Sequence, residues 1–388
     1  DTTLNYSLAW RMEDRDDKLV ANADGNDGTN AFDKGSLINN RFSFLTEASL
    51  NWRDNYGMFV RATGFYDSVY DQSNDNGTGT SNCFAGGHCA KPNRFSDDTV
   101  DQHREDLRLL DAYVWGNFDL AGRTLNLRLG DQVVSWGESL FYPGFSAAQS
   151  PVDATKATTP GVEVKEILLP VGQLFAQYSL TDNLNLQTYY QYDWDETELF
   201  GVGSYFSTTD FIDQGGSNDA SGFLRRLADD KPSDSGQYGV ALNYTADWLN
   251  STEFGLFYSR YHDKAPSLDF RSDLGFYRVR YFDNIDQYGV SFATVLGDTS
   301  IAGEITYRDG QPVMVDDIFS TPVRAETLQS QVSVIHVVGP TFFADNTTLV
   351  GEVVHHHVLD NDGSTPVSPF PGFVIPGSSS DSLSLDRD

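Results

Sequence analysis

Between residues 130 and 172 the ionisable groups Asp131, Glu138, Asp153, Lys156, Glu163, Lys165 and Glu166 are set among Trp136, Phe141, Tyr142, Phe145 and Leu168. Apolar surface with a few placed charges is how a protein grips a chain that carries a polar head, which is binding chemistry rather than bond cleavage. An inert filling would use the same residue types, so both readings stay open here. Signals for cleavage are poor: no GxSxG, HExxH, phosphate loop or dinucleotide fingerprint occurs. His355, His356 and His357 fall in a strand pattern, where neighbours face opposite ways and cannot chelate together as a helical pair would. Catalysis is not expected.

A second set of charges sits on the polar side of alternating segments: Arg11, Arg41, Arg53, Arg61, Arg128 and Arg308, with Glu13, Glu47, Asp111, Glu304 and Glu352. Turned inward, they would fill a wide interior as ion pairs, or form a ladder that orients a charged solute. The candidate lumen and substrate residues are therefore Arg61, Arg128, Asp131, Trp136, Glu138, Phe141, Tyr142, Phe145, Asp153, Lys165, Glu166 and Glu304. Cys83 and Cys89 are close enough in sequence to predict a disulfide formed in an oxidising compartment, stiffening one loop tip. A metal site with His88 is the sharper alternative, but the usual zinc spacing and a second ligand pair are missing.

What must position these groups is a set of strands. Leu4, Tyr6, Leu8, Trp10 and Met12 alternate with Asn5, Ser7, Arg11 and Glu13, a period of two with one apolar and one polar face. The pattern recurs along the chain and predicts about fourteen strands. Among them are 109 to 120, with Leu110, Ala112, Val114 and Phe118 on the apolar side, and a weaker one at 274 to 283. Short turns, such as Asp54-Asn55 and Ala121-Gly122-Arg123, alternate with long polar connections such as 14 to 36, 67 to 106 and 195 to 235. That asymmetry favours a membrane barrel with tight turns at one end and long loops at the other. A soluble sandwich would alternate too, so alternation alone is neutral. Trp10, Trp52, Tyr192, Trp194, Tyr244 and Trp248 often fall near strand ends, matching an interfacial aromatic girdle. Residues 136 to 172 break the regularity with Gly, Pro and small side chains, as a plug or lumen constriction would.

The chain has 388 residues, with 26 Lys and Arg against 56 Asp and Glu, a net charge of −30. Phosphate binding needs a basic face, so a nucleic-acid partner is excluded. Aromatics at 13% separate the chain from acidic disordered sequences. No apolar run is long enough for a transmembrane helix, which leaves a barrel untouched. The acidic loops, with runs such as Asp24 to Asp27 and Asp71 to Asn76, would attract cationic amphiphiles such as long-chain amino alcohols. Calcium in those loops is an open option without an EF-hand pattern, and no other cofactor is expected. A start at Asp1 in strand pattern suggests a processed or trimmed terminus, and the Pro, Gly and Ser-rich stretch from 359 suggests that closing strands are missing.

Long stretches also resemble a known family: LLDAYVWGNFDL at 109 to 120, GDQVVSWGESLFYPG at 130 to 144, SPVDATK at 150 to 156, GVEVKEILLPVGQ at 161 to 173 and GSYFSTTDF at 203 to 211. With LNYSLAWRMEDRDD and FDKGSLINNRF they span most of the chain. The sequence resembles the outer-membrane barrels long catalogued as a domain of unknown function and linked to sphingosine response and to steroid or other hydrophobic-compound use. The resemblance implies a porin-like or fatty-acid-channel-like barrel in the bacterial outer membrane, among lipids and lipopolysaccharide. It also implies a periplasmic lipoprotein-like lipid carrier and a resistance-nodulation-division (RND) type transporter as partners, and it assigns no catalytic residues.

The expectation is an all-β fold, a single transmembrane antiparallel β-barrel over residues 1 to 388 with 136 to 172 as plug, moving hydrophobic or amphiphilic compounds. A general diffusion porin for small polar solutes, a structural or adhesive surface barrel, and a soluble calcium-stabilised β-protein are the alternatives.

Overall fold

A computed structural model describes residues 1–77, 93–212, 214–216, 224–271, 275–314, 322–342 and 344–361. Cys83 and Cys89, and the disulfide expected of them, lie outside the described residues.

The strands in chain order are β1 (Thr2–Trp10), β2 (Leu37–Trp52), β3 (Tyr56–Asp67), β4 (Glu105–Leu120), β5 (Arg123–Gln132), β6 (Val171–Ser179), β7 (Leu184–Gln191) and β8 (Arg225–Arg226). Then follow β9 (Gln237–Ala246), β10 (Thr252–Tyr261), β11 (Ser267–Arg271), β12 (Phe276–Arg280), β13 (Ile285–Leu296), β14 (Thr299–Met314), β15 (Pro322–Gly339) and β16 (Thr347–Asp360). One 13-stranded sheet runs from β1 to β16 in sequence order, omitting β8, β11 and β12. Its neighbours pair antiparallel, as β1 with β2 and β15 with β16. The all-β antiparallel architecture read from the sequence is the one found, and among the described residues the sheet is open between β1 and β16. No described helix is long and apolar enough to cross a membrane.

Alternation sets the two faces. Leu4, Tyr6, Leu50, Leu174 and Val290 are exposed on the outer side, while Ser7, Arg41, Ser43, Gln173 and Gln191 are buried on the inner one. The short turns fall where the strand breaks predict them. The β2–β3 turn sits one residue earlier than expected, with Arg53 and Asp54 both left-handed, φ 54° and 58°. Arg53 is therefore an exposed turn residue and no part of the inner ladder.

Three expectations need correction. In β4 the pairing shifts between Val60 and Ala62, leaving Leu110 and Asp111 opposite Arg61 alone. This bulge inverts the alternation, so Leu107 and Leu109 face outward and Leu110 is 1% exposed inside. The strand expected at 274–283 is β12, which leaves the wall and pairs with β11 and β8 in a separate 3-stranded sheet. Trp194, Phe211, Leu268 and Tyr277 form its core. The long connections, finally, read as polar, carry apolar packing of their own. Ala31, Phe32, Val69, Tyr70 and Phe95 from two of them pack into one cluster, and the Asp210 carboxylate accepts the Asn26 N–H at 2.8 Å.

Candidate functional site

The chain leaves β5 at Gln132 and returns in β6 at Val171; between them it folds back on itself through a bridge of Val152 with Leu168. Asn5 of β1 donates to the Pro160 carbonyl at 2.9 Å. At the far end of the sheet, Glu352 of β16 accepts the backbone N–H groups of Leu140, Phe141 and Tyr142 at 2.9, 2.9 and 2.8 Å. One segment touching both end strands means that the wall curls around it. Residues 136–170 thus lie inside that curl and form its plug, while Val171 and Gly172 already pair in the wall as the start of β6.

The first half of this segment is clamped by charge acting on backbone. Glu304 of β14 accepts the Glu138 N–H at 2.8 Å and the Phe145 N–H at 2.6 Å. Arg308 donates to the Gly144 carbonyl at 2.9 Å and to Gln287 and Gln329 at 2.7 and 3.0 Å. A carboxylate facing peptide N–H groups makes charge-assisted bonds, roughly twice as strong as neutral ones. Trp136 and Phe145 lock into Phe175, Tyr189 and Phe257. Wall glycines make room for them: a Cβ at Gly239 would lie 2.8 Å from the Trp136 ring, and one at Gly289 2.5 Å from Phe145. The Trp136 indole N–H reaches Gln187 at 2.8 Å. Burial, then Glu253 and Glu304, push the Glu138 carboxyl up to about 7. Lys264, in the connection between β10 and β11, donates to the Ala148 carbonyl and to Gln237, both at 3.0 Å.

The second half meets the wall through side chains. Lys165 pairs with Glu47 at 2.8 Å, Glu47 with Arg61 at 2.8 Å, and Arg61 with Asp111 at 2.5 Å. Glu166 accepts the Thr63 hydroxyl at 2.8 Å. Asp153 caps the short turn that follows it, accepting the Thr155 N–H at 3.0 Å. Leu169 packs on Leu45 and on Leu110, the residue that the β4 bulge turns inward.

On the inner wall of β3 to β6, rings and cations interleave. Phe59 and Tyr113 contact at 5.6 Å, and Arg61 lies 5.2 Å from the Phe59 centroid. Arg128 lies 5.9 Å from Tyr113 and 5.2 Å from Phe175. Most of the expected site residues are therefore brought to one interior. Asp131 departs: it shares its side of β5 with exposed Leu129, beside Tyr192, on the outer face. Phe141 is on the plug but 73% exposed, while Tyr142 is half-buried. The inner charges bind the plug and loops more than one another. Arg11, for instance, donates to the Thr29 and Phe32 carbonyls at 3.0 and 3.1 Å.

Reading for charge passes over the glutamines. Gln132, Gln173, Gln191, Gln237, Gln287 and Gln329 are buried on the inner face. Gln191, Gln287 and Gln329 donate to the Gln149, Phe145 and Pro143 carbonyls of the plug at 2.7, 2.9 and 3.0 Å. The signal was a recurrence of long neutral amides at inward positions, residues that can pair an irregular backbone without a buried charge. Among the described residues no group of three or more His, Cys, Asp or Glu could hold a metal ion.

Solved structures that align with the chain include OmpF of Salmonella typhi in complex with daunomycin, at 10% identity over 94% of this chain and 81% of that one, TM-score 0.38. OmpT of Vibrio cholerae aligns at 10% identity over 95% and 96%, TM-score 0.30. A mutant porin of Rh. blastica does so at 10% over 92% and 100%, TM-score 0.26. These scores are low and add nothing to the strand pairing described above. No curated protein matches the chain. The stretches that carried the resemblance span nearly the whole sequence, and so does the match to a family model: over residues 1–382 it fits the one described as protein of unknown function, DUF1302, and the chain belongs to that family.

Proposed function

We propose that this protein is an outer-membrane channel for hydrophobic or amphiphilic compounds, long-chain lipids such as sphingoid bases, sterols or fatty acids, with residues 136–172 as its constriction. The observation that carries this reading is the interleaving of Phe59, Tyr113 and Phe175 with Arg61 and Arg128 on the inner wall. Rings offer an apolar chain a surface that water does not, and Arg128, which makes no ion pair among the described residues, leaves a charge beside them for a polar head. A wall whose outer face exposes Leu4, Leu50, Leu107, Val290 and Val332 supports a lipid surround, because water would leave that face as a very large apolar patch. A periplasmic lipid carrier and an RND-type transporter would take the cargo onward. The net charge of −30 would concentrate cationic amphiphiles at the mouth.

Proteoliposomes carrying the full-length protein test this. Influx of a fluorescent long-chain amine, with little swelling in hydrophilic sugars, is the expected result. Rapid sugar swelling would make it a general diffusion porin, and no flux of any solute would leave a structural or adhesive barrel. Deleting residues 144–164 should ungate or abolish amine flux in a protein that still inserts. Raising ionic strength should slow capture of the amine, and a rate insensitive to salt would remove the electrostatic part.

A further inference from the structure

Among the described residues, two buried cations inside the wall, Arg41 and Lys156, have neither an ion pair nor a hydrogen bond from their charged groups. Arg41, on the inner face of β2, is 5% exposed, and its Nε and Nη2 have no hydrogen-bond partner. Lys156, in the plug, is 4% exposed. Both lie against one ring: the Arg41 guanidinium carbon is 3.3 Å from the Phe65 centroid and the Lys156 ammonium 5.2 Å. Other cations of this region are engaged: Lys165 and Arg61 pair with Glu47, Arg108 pairs with Glu198 at 2.8 Å, and Arg128 donates to the Asn126 side chain at 3.2 Å.

We propose that Arg41 and Lys156 form a binding site for a carboxylate, the head group of an acidic amphiphile, inside the lumen. The Nε and Nη2 of a guanidinium lie on the same edge, and their two parallel N–H groups match a carboxylate bidentately. That edge of Arg41 is the one left without a partner. Stacking on Phe65 covers the face of the guanidinium but leaves its in-plane donors unused. Lys156 supplies a second charge from the opposite structure, the plug, so a bound anion would tie plug to wall.

The nearby carboxylates are already engaged. Asp67 accepts the Asn40 and Val69 N–H groups at 3.1 and 3.0 Å. Asp153 holds the Thr155 N–H at 3.0 Å and its hydroxyl at 2.5 Å, and Glu166 holds Thr63. They balance the charge from a distance without reaching the free donors. His103, within electrostatic range of Arg41, is no substitute: burial holds its ring down to about 3, so it is neutral. Burial and the neighbouring Arg41 likewise hold Lys156 below its ordinary value, a strain that an incoming anion relieves.

The site rests on the channel reading and adds an acidic head inside the lumen to the cationic ones gathered at the mouth; its test is a binding measurement that needs no flux, so the two fail separately. Full-length protein in a non-ionic detergent would be titrated with laurate, dodecanol, dodecylamine and acetate. Laurate should bind at least tenfold more tightly than dodecanol or dodecylamine. Arg41→Gln and Lys156→Met should each remove that preference, while Lys34→Met, at an exposed ion pair, should keep it. Laurate tighter than acetate assigns the site to an amphiphile head; equal affinities assign it to a free small carboxylate. Binding of laurate that is absent, or unchanged in both variants, overturns the proposal. Because Lys156→Met removes an unpaired buried charge, it should fold at least as well as wild type, which keeps a negative result interpretable.

Discussion

The two halves of the plug meet the same wall in opposite ways. From Trp136 to Phe145, polar backbone and rings find partners: Glu304, Glu352, Arg308 and the glutamines saturate the peptide groups. From Asp153 to Glu166, one buried cation of the plug and one of the wall are left without any. A saturated contact fixes a structure, whereas an unsaturated one keeps energy in reserve for a ligand. The first half is thus an anchor and the second a site, and that division can be broken experimentally.

The largest effect should come from Trp136→Ala, which empties the aromatic cluster at a cost of about 3–5 kcal/mol. Thermal unfolding should show the loss, and limited proteolysis should begin to cut inside 136–172. A stable, resistant variant would mean that the anchor is elsewhere. Glu304→Ala leaves the Glu138 and Phe145 N–H groups unpaired, with an expected loss of about 1–3 kcal/mol. Single-channel recordings should show larger or noisier openings. Gly289→Ala drives a methyl into Phe145 and should lower stability by about 1 kcal/mol, at the mild end of overpacking.

Glu138 adds a pH dependence. Its carboxyl is raised from 4.5 to about 7, so between those values the folded anchor binds more protons than the free chain. Stability is therefore fully present below the lower value and declines as pH rises to the upper one. Plug release, read as conductance, should increase across that window in wild type and lose this pH step in Glu138→Gln. The smallest effect belongs to the second half. Lys156→Met should leave the melting temperature unchanged or slightly raised. A clear loss would mean that the lysine has a structural partner and the halves are alike.

Much of this was legible in the sequence. Leu4, Tyr6 and Leu8 against Asn5 and Ser7 define the two faces of β1 because a pleated strand has a period of two whatever it pairs with. The long irregular stretch after β5, with its Gly and Pro, marked the plug for the same local reason. Leu110 and Arg53 went astray where local period is interrupted, at a bulge and a left-handed turn, whereas Asp131 follows the outward period of Leu125, Leu127 and Leu129 and belongs with the strand rather than the irregular stretch. Strand 276–280 has the same pattern as its neighbours, yet leaves the wall because β10 finds β13 instead.

The sequence by itself determined the all-β class, the two faces of regular strands such as β1 and the order of the hairpins, since each follows from neighbours in the chain. Only the tertiary structure decided which inward charges are paired. Glu304 and Phe145 are 159 residues apart in the chain, and Arg41 and Lys156, from wall and plug, share the Phe65 ring. A charge carries no mark of its partner, so whether it is an anchor or a site depends on what the curled wall brings within a few ångströms of it.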